Sequence, residues 1–348
     1  MTAKTVDKKK FTELAEAIIA GGHRLYGPIR NNGEVTLTEV TEQPEFDFSY
    51  RNFKTSPKDF FLPQSEVICR FCRGELVEDA VSAPQKRVLL GLRPCDARAF
   101  WLMDKVFLEE PEDFYYKQKR ENTVIIAAAC ANPESTCFCT SVGGGPAGTE
   151  GSDVLLFDVG ERFLFEAVTE RGENFLNQFP EMNEDATKKQ IAEKEKIAEE
   201  SSARIEKLAL DGIAERFAES FDSDLWEEPS QKCLGCGICT YFCPTCYCFD
   251  VTDETLRENG RRVRTWDSCM YKLFTLHASG HNPRPTQKER IRQRFMHKFS
   301  YSVDNHGELF CVGCGRCIKN CPVNLDLREV FGSFSKRTLR RPRREREA

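Results

Sequence analysis

Two cysteine arrays near the end of the chain restrict its fold more than any other feature. The first array reads CLGCGICTYFCP from Cys233, and the second reads CVGCGRCIKNCP from Cys311. Both match the spacing C-x2-C-x2-C-x3-C-P, with which bacterial-type ferredoxins bind iron–sulfur clusters. In that pattern three cysteines bind one cluster, and the fourth binds the other cluster. The two arrays therefore predict two 4Fe-4S clusters.

The crossed pattern assigns the eight array cysteines to two ligand sets. The first ligand set consists of Cys233, Cys236, Cys239 and Cys321, and the second ligand set consists of Cys311, Cys314, Cys317 and Cys243. Four thiolates can also bind structural zinc, but zinc sites usually show isolated C-x2-C pairs. Glycines at 235, 237, 313 and 315 lack a Cβ atom, so they allow the backbone to approach a cluster and to point N–H groups toward its sulfides. The duplicated pattern therefore favours iron–sulfur clusters over zinc.

The composition suits a reducing compartment. The chain has 348 residues, 17 cysteines and a formal net charge of -5. It holds no apolar stretch near the roughly 20 residues that a membrane helix needs, and its beginning predicts an amphipathic helix rather than a signal peptide. We therefore expect a cytoplasmic protein with no membrane partner, in which many cysteines indicate metal or redox chemistry rather than a disulfide framework.

The segment between the arrays, residues 244–310, is longer than the loop of a small two-cluster ferredoxin. Ile291, Phe295 and Phe299 recur at spacings of four, which predicts a helix after Pro285. The two-cluster domain is therefore expected to resemble the α-helical ferredoxins. This segment also contains three further cysteines, Cys246, Cys248 and Cys269. They either line the clusters as buried, weakly polar neighbours or bind another metal.

A different pattern precedes the arrays. Apolar runs at 88–92 and 124–129 predict buried strands that alternate with helices, which is typical of an α/β domain with parallel strands. Sites in such folds lie at the carboxyl ends of strands, and Cys95 and Cys130 follow these strands directly. With Cys137 and Cys139, on the loop that leaves the second strand, they form a third ligand set, for which we expect a third 4Fe-4S cluster. The alternative is that Cys130 is a core residue and the other three are incidental thiols.

Two features near this third set have open interpretations. Arg93 and Asp96 flank Cys95, and they either tune a cluster through hydrogen bonds and charge or form a salt bridge at the strand end. Cys69 and Cys72 form a lone C-x2-C pair, which we interpret as ordinary thiols rather than as a metal site.

These patterns predict an α+β protein with four parts. We expect an N-terminal α/β domain at 1–180, a charged helical linker at 181–225, an α-helical, ferredoxin-like two-cluster domain at 226–335 and a disordered basic tail at 336–348. The tail carries seven Lys or Arg residues from Lys336 to Arg346. The acidic net charge and the lack of a nucleic-acid-binding motif nevertheless argue against nucleic acid as a partner.

Six motifs occur in one order between about Pro63 and Val323: RPCD, CFCTS, CPTCYCFDV, WDSCM, RQRFMHKF and CVGCGRCIKNCPV. Together they resemble the family that contains the A subunit of anaerobic sulfite reductase and the beta subunit of cytosolic sulfhydrogenases. The resemblance implies an electron-transfer subunit of anaerobic metabolism that does not catalyse a reaction itself. It implies clusters on the eight array cysteines, and the four upstream cysteines match the family's pattern, whereas Cys69 and Cys72 match none of its motifs.

The resemblance also implies two protein partners. One is a reductase subunit that binds FAD and NAD(P)H, and the other is a catalytic redox subunit of the sulfite reductase, hydrogenase or heterodisulfide reductase type. No flavin is then expected on this chain. The alternative hypothesis is an oxidoreductase that binds flavin in its α/β domain and reduces its own substrate.

Overall fold

The computed structural model describes residues 3–41, 45–79, 85–182 and 184–336. Apart from Lys336, the tail expected at 336–348 lies outside the described residues. The strands are β1 (Ala3–Asp7), β2 (Arg24–Asn31), β3 (Glu34–Glu39), β4 (Ser65–Cys72), β5 (Glu75–Asp79), β6 (Arg87–Leu92), β7 (Thr123–Ala128), β8 (Val154–Asp158), β9 (Arg162–Ala167), β10 (Glu184–Asp185), β11 (Phe249–Leu256) and β12 (Asn259–Trp266).

The α-helices are α1 (Phe11–Ala20), α2 (Pro94–Phe107), α3 (Phe114–Glu121), α4 (Glu170–Leu176), α5 (Lys188–Ala203), α6 (Ile213–Glu219), α7 (Glu227–Lys232), α8 (Ile238–Tyr241), α9 (Gln287–Met296), α10 (Ser302–His306), α11 (Arg316–Lys319) and α12 (Leu327–Lys336). A π-helical turn, His297–Tyr301, joins α9 to α10. Within the described ranges, no helix is long and apolar enough to cross a bilayer.

The N-terminal part contains an eight-stranded sheet with the order β10-β1-β9-β8-β7-β6-β2-β3. The pairs β2–β6, β6–β7 and β7–β8 are parallel, and the other pairs are antiparallel. β6 and β7 are the strands predicted at 88–92 and 124–129, and their parallel pairing is confirmed. Leu90 and Ile126 pack in one apolar core, while Leu89 and Ile125 pack in another. Both faces of these strands are therefore buried, and their carboxyl ends lie side by side.

A second, antiparallel sheet connects the two halves of the chain in the order β11-β12-β4-β5. β4 and β5 precede the eight-stranded sheet's β6, whereas β11 and β12 come from between the cysteine arrays, and β12 pairs with β4. The helix expected after Pro285 is present as α9. The expectation of an α-helical domain does not hold for residues 249–266, because the Val and Thr residues spaced along both strands favour a hairpin.

The expected helical linker is interrupted. α5 begins at a capping box, in which Thr187 and Gln190 exchange side-chain and backbone hydrogen bonds. Residues 204–212 are not helical, and α6 begins after Gly212, whose φ of 65° lies in the left-handed region. Ile205 in this interruption is buried. The segment expected as a linker therefore contains the edge strand β10 and two helices, and its middle packs into the protein.

Candidate metal centres

The four cysteines of the first ligand set line one cavity. Cys233, Cys236 and Cys239 surround the start of α8, and Cys321 reaches the same cavity from the second array. The remaining walls are mainly apolar and include Met270, Ile291, Phe295 and Leu327. Among these cysteines Cys236 is exposed to solvent. Cys321 thus lies with three cysteines of the first array, as the crossed pattern predicts, and Cys317 of the second set lines the same cavity.

Hydrogen-bond donors point at the sulfur atoms of this set. Gln287 Nε2 donates to Cys233 Sγ at 3.1 Å, and the Gly235 N–H donates to the same sulfur at 3.4 Å. The Leu325 N–H donates to Cys321 Sγ at 3.3 Å. Arg294 also lines the cavity, and its buried Nη1 has no hydrogen-bond partner. These donors fit a group rich in sulfur acceptors, such as an iron–sulfur cluster with thiolate ligands.

The second ligand set is buried more deeply. Cys243, Cys311 and Cys314 are buried, and burial raises the pKa of Cys311 to about 12. After burial, the nearby Cys243 sulfur is a further cause of the raised pKa of Cys311, Cys314 and Cys317, which is consistent with four sulfur atoms lying close together. A hydrogen bond from Cys246 lowers the pKa of Cys243 itself. The array cysteines assigned to this set therefore form one electrostatic group.

The four cysteines of the third ligand set also line one cavity. Cys95 lies in the first turn of α2, just after β6, and Cys130 follows β7. Cys137 and Cys139 reach the cavity from the loop beyond Cys130. Burial raises the pKa of Cys137 and of Cys139 to about 12, so metal binding here would release protons from both thiols. The parallel strands thus bring together four cysteines that are separated by up to 44 positions.

The chemistry around the third set fits a cluster as well. The hydroxyls of Thr136 and Thr140 flank the two loop cysteines and are buried without a hydrogen-bond partner. Buried hydroxyls normally have a partner, and sulfur can accept their hydrogen bonds. In the described part of the chain, no three His, Cys, Asp or Glu side chains converge as the ligands of a single metal ion do. A 4Fe-4S cluster instead takes four cysteines, and each of the three sets supplies four.

The second and third sets share a wall. Gly313 and Cys314, from the second array, line the cavity of the third set. The Phe138 N–H donates to the Gly313 carbonyl at 2.8 Å, and Cys137 Sγ lies 3.8 Å from the Cys314 carbonyl oxygen. A Cβ atom on Gly313 would lie 2.4 Å from the Cys139 nitrogen. Glycine is thus required at 313 because the upstream loop packs directly on it, a reason that the array pattern alone does not reveal.

Gly313→Ala is expected to damage the third set. The added methyl group would overlap the backbone of Phe138 and Cys139, and the φ of 60° strains any side chain. We expect a loss of about 1–3 kcal/mol of stability, typical of overpacking, and a lower iron content per chain. Gly145→Ala is the matched control, because Gly145 lines the same cavity and its Cβ would meet nothing within 4 Å. Iron analysis and thermal unfolding measure both effects; equal values for the two variants would contradict this packing.

A buried ion pair ties α2 to the second array. Arg316 Nη1 and Nη2 donate to the two carboxylate oxygens of Asp96 at 2.7 and 3.0 Å, and Arg316 Nε donates to the Phe53 carbonyl at 2.7 Å. Asp96 is 0% exposed and Arg316 is 1% exposed. Arg93 takes no part in this pair, since it donates to backbone carbonyls such as those of Arg51 and Ala129. Asp96 therefore forms a salt bridge, but with a residue 220 positions away rather than at its own strand end.

The remaining cysteines do not line the cavity of the first set or that of the third set. Cys69 and Cys72 are on β4 in the second sheet. Cys246 contacts the Cys243 thiol, and a hydrogen bond from Cys269 lowers the pKa of Cys248 to about 6. The three cysteines between the arrays thus make thiol–thiol contacts next to the second set.

Reasoning from the sequence missed two buried cations. Arg294 and Lys298 lie beside the array cysteines, although the sequence reasoning gave their segment, RQRFMHKF, no role beyond its apolar spacing and the family resemblance. One signal could have identified them: they are four positions apart, between Ile291, Phe295 and Phe299, so two cations lie close to the buried side of one helix.

Comparison with known proteins supports an iron–sulfur protein. A family model described as a 4Fe-4S dicluster domain matches residues 232–325, which include all eight array cysteines. The chain is 33% identical over 305 residues to sulfhydrogenase 2 subunit beta of Pyrococcus furiosus, which corresponds to 87% of this chain and 90% of that protein. No solved structure matches the chain. The similarity to this relative extends well beyond the two arrays into the upstream half.

Proposed function

The chain belongs to the family of sulfhydrogenase beta subunits, and from that premise we propose that it relays single electrons between a reductase subunit that binds FAD and NAD(P)H and a catalytic redox subunit. The family and the dicluster domain support an iron–sulfur electron-transfer subunit. The observation that carries the proposal is the contiguity of the three ligand sets. The catalytic partner would be of the sulfite reductase, hydrogenase or heterodisulfide reductase type.

Bound 4Fe-4S clusters would supply the one-electron redox chemistry. The chain's own residues hold the ligands and determine their surroundings. Cys317 of the second set lines the cavity of the first set, and Gly313 and Cys314 line the cavity of the third set, which supports a row of three neighbouring sites. Apolar walls limit the access of water to the first cavity. Since Cys236 is exposed, the first set is open to a partner at the surface.

One cavity favours the alternative, an enzyme with its own flavin. It has a volume of about 970 Å³ and lies at the carboxyl ends of β7 and β8, beside Arg93 and Tyr50. Its cations are already engaged, however: Arg30 bonds to Asp47, Lys8 to Asp158, and Arg93 to backbone carbonyls. A flavin nucleotide would have to compete with these pairs for its phosphates, so the relay is the function that we favour.

Counting iron, acid-labile sulfide and flavin in protein purified without oxygen tests the proposal. We expect about 12 irons per chain, from three clusters of four, and no stoichiometric flavin. Cys130→Ser removes one ligand of the third set, and we expect its content to fall to about 8 irons. Cys69→Ser is the matched control and should keep the wild-type content, because Cys69 lies on β4 outside the three sets.

Two results would contradict the proposal in different ways. About 8 irons in the wild-type protein, unchanged in Cys130→Ser, would mean that only the paired arrays hold clusters. One flavin per chain in a homogeneous sample would favour the alternative enzyme. Iron and flavin counts on the same preparation therefore test separately how many clusters the chain binds and whether it binds a flavin.

A further inference from the structure

Lys298 is a buried lysine beside the second ligand set. It is 4% exposed, and its ammonium donates hydrogen bonds to Cys243 Sγ at 3.3 Å, to Thr245 Oγ1 at 2.8 Å and to the Phe310 carbonyl at 2.9 Å. These three acceptors use all three N–H donors of an ammonium group. None of them is a carboxylate, and no ion pair of Lys298 is found among the described residues. The Lys298 ammonium therefore contacts a cysteine of this set and has no carboxylate partner among the described residues.

Arg294 is a second buried cation, one helical turn before Lys298. Its Nη2 donates to the Cys239 carbonyl at 3.2 Å, its Nη1 has no partner, and it lines the cavity of the first set together with Cys317 of the second set. In the part of the chain that the structure describes, no carboxylate pairs with it either. Arg294 therefore lies between the first and second sets with its charge unneutralised.

The third set has different electrostatic surroundings. Buried Arg93 lines its cavity and donates to backbone carbonyls, and the nearby charge of Arg316 is neutralised by the bidentate pair with Asp96. Among the described residues, the second set is thus beside two cations without a carboxylate partner, whereas the first and third sets are each beside one. Charge near a cluster and hydrogen bonds to its sulfur ligands are two causes of differences in reduction potential.

We propose that Lys298 and Arg294 raise the reduction potential of the cluster held by the second ligand set above that of the other two, so that this cluster is reduced first. Reduction adds one negative charge to a cluster, and a buried, unpaired cation stabilises that charge more strongly than a solvated cation does, because the interior has a low dielectric constant. The cluster of the second set, which lies between the other two, would then hold an electron most tightly. This inference rests on the proposed function.

The test is a redox titration of the full chain, purified without oxygen, with dithionite as the reductant and electron paramagnetic resonance as the readout. In Lys298→Gln, which keeps a hydrogen-bond donor but removes the charge, we expect the highest of the three potentials to fall. The highest potential should fall by at least about 59 mV, which for one electron is a tenfold change in the ratio of reduced to oxidised cluster at a fixed solution potential. Arg294→Gln should lower the same potential.

Two controls separate charge from structure. Lys298→Arg keeps the positive charge and should restore the highest potential towards the wild-type value. Lys232→Gln removes an exposed lysine beside Cys233, which pairs with Glu228 at 3.5 Å, and should leave all potentials unchanged. Iron is counted in every variant, so that a shifted potential is assigned only to a loaded cluster.

Each remaining outcome has a definite meaning. Full iron content with an unchanged highest potential in both glutamine variants would overturn the inference and leave the proposed function intact. Loss of the second set's iron in both variants would also overturn it, since the cations would then hold the site together rather than tune it. A wild-type protein without iron on the array cysteines would instead overturn the proposed function.

Discussion

Cys314→Ser is expected to abolish electron transfer through the chain while the partner flavin subunit keeps its own NAD(P)H-dependent reduction of a dye. Cys314 belongs to the second set and also lines the cavity of the third set, so its loss affects the centre of the row of sites. A serine hydroxyl is a harder ligand than a thiolate and suits iron–sulfur clusters poorly. Because the flavin is expected on another subunit, its reaction with a dye does not depend on this residue.

Two rates measured on the same purified complex check this prediction. The first is NAD(P)H oxidation with a dye that reacts at the flavin, and the second is NAD(P)H oxidation with sulfite, protons or a heterodisulfide as the terminal acceptor. Cys236→Ser should give the same result as Cys314→Ser, since it breaks the first set. Cys69→Ser should retain both rates. A Cys314→Ser complex that transfers electrons at the wild-type rate would rule out the proposed relay.

Local patterns allowed much of the candidate site to be predicted. The array spacing predicts how eight cysteines divide into two sets, because the ferredoxin motif assigns its fourth cysteine to the other cluster, and Cys321 does line a cavity with Cys233, Cys236 and Cys239. The third set was predicted from two apolar runs, since parallel strands place their carboxyl ends together and thereby bring Cys95 near Cys130. In both cases the information lies within a few residues of each cysteine.

Other features depend on contacts between distant parts of the chain. β12 pairs with β4 although nearly 190 residues separate them, and neither strand's pattern indicates which strand is its neighbour. Asp96, Arg294 and Lys298 are charged residues, which usually lie at the surface. A sequence does not distinguish a buried charge from a solvated one unless its partner is known, so the burial of Arg294 and Lys298 and the partner of Asp96 were recognised only from the structure.

Asp96→Asn is expected to destabilise the protein by about 3–5 kcal/mol, because it leaves the charge of Arg316 buried and uncompensated. The lost carboxylate accepts two hydrogen bonds in the wild-type pair, and both residues are almost fully buried. The midpoint of urea unfolding, followed by circular dichroism without oxygen, measures the effect. Asp185→Asn is the matched control, because it breaks a pair with Lys4 in which the Asp185 side chain is 80% exposed. It should lower the free energy of unfolding by no more than about 1 kcal/mol.

A double variant separates the cost of an unpaired charge from the value of the pair itself. Replacing a buried ion pair by apolar residues of similar size is often neutral or stabilising, so Asp96→Leu with Arg316→Met should recover much of the stability that Asp96→Asn loses. Arg316 Nε also donates to the Phe53 carbonyl, so some loss should remain in the double variant. If the double variant is less stable than the wild-type protein, the pair contributes net stability between α2 and the second array. If it is as stable as the wild-type protein or more stable, the pair is retained for another reason, and its neutralisation of the Arg316 charge beside the cysteine ligands is the physical candidate.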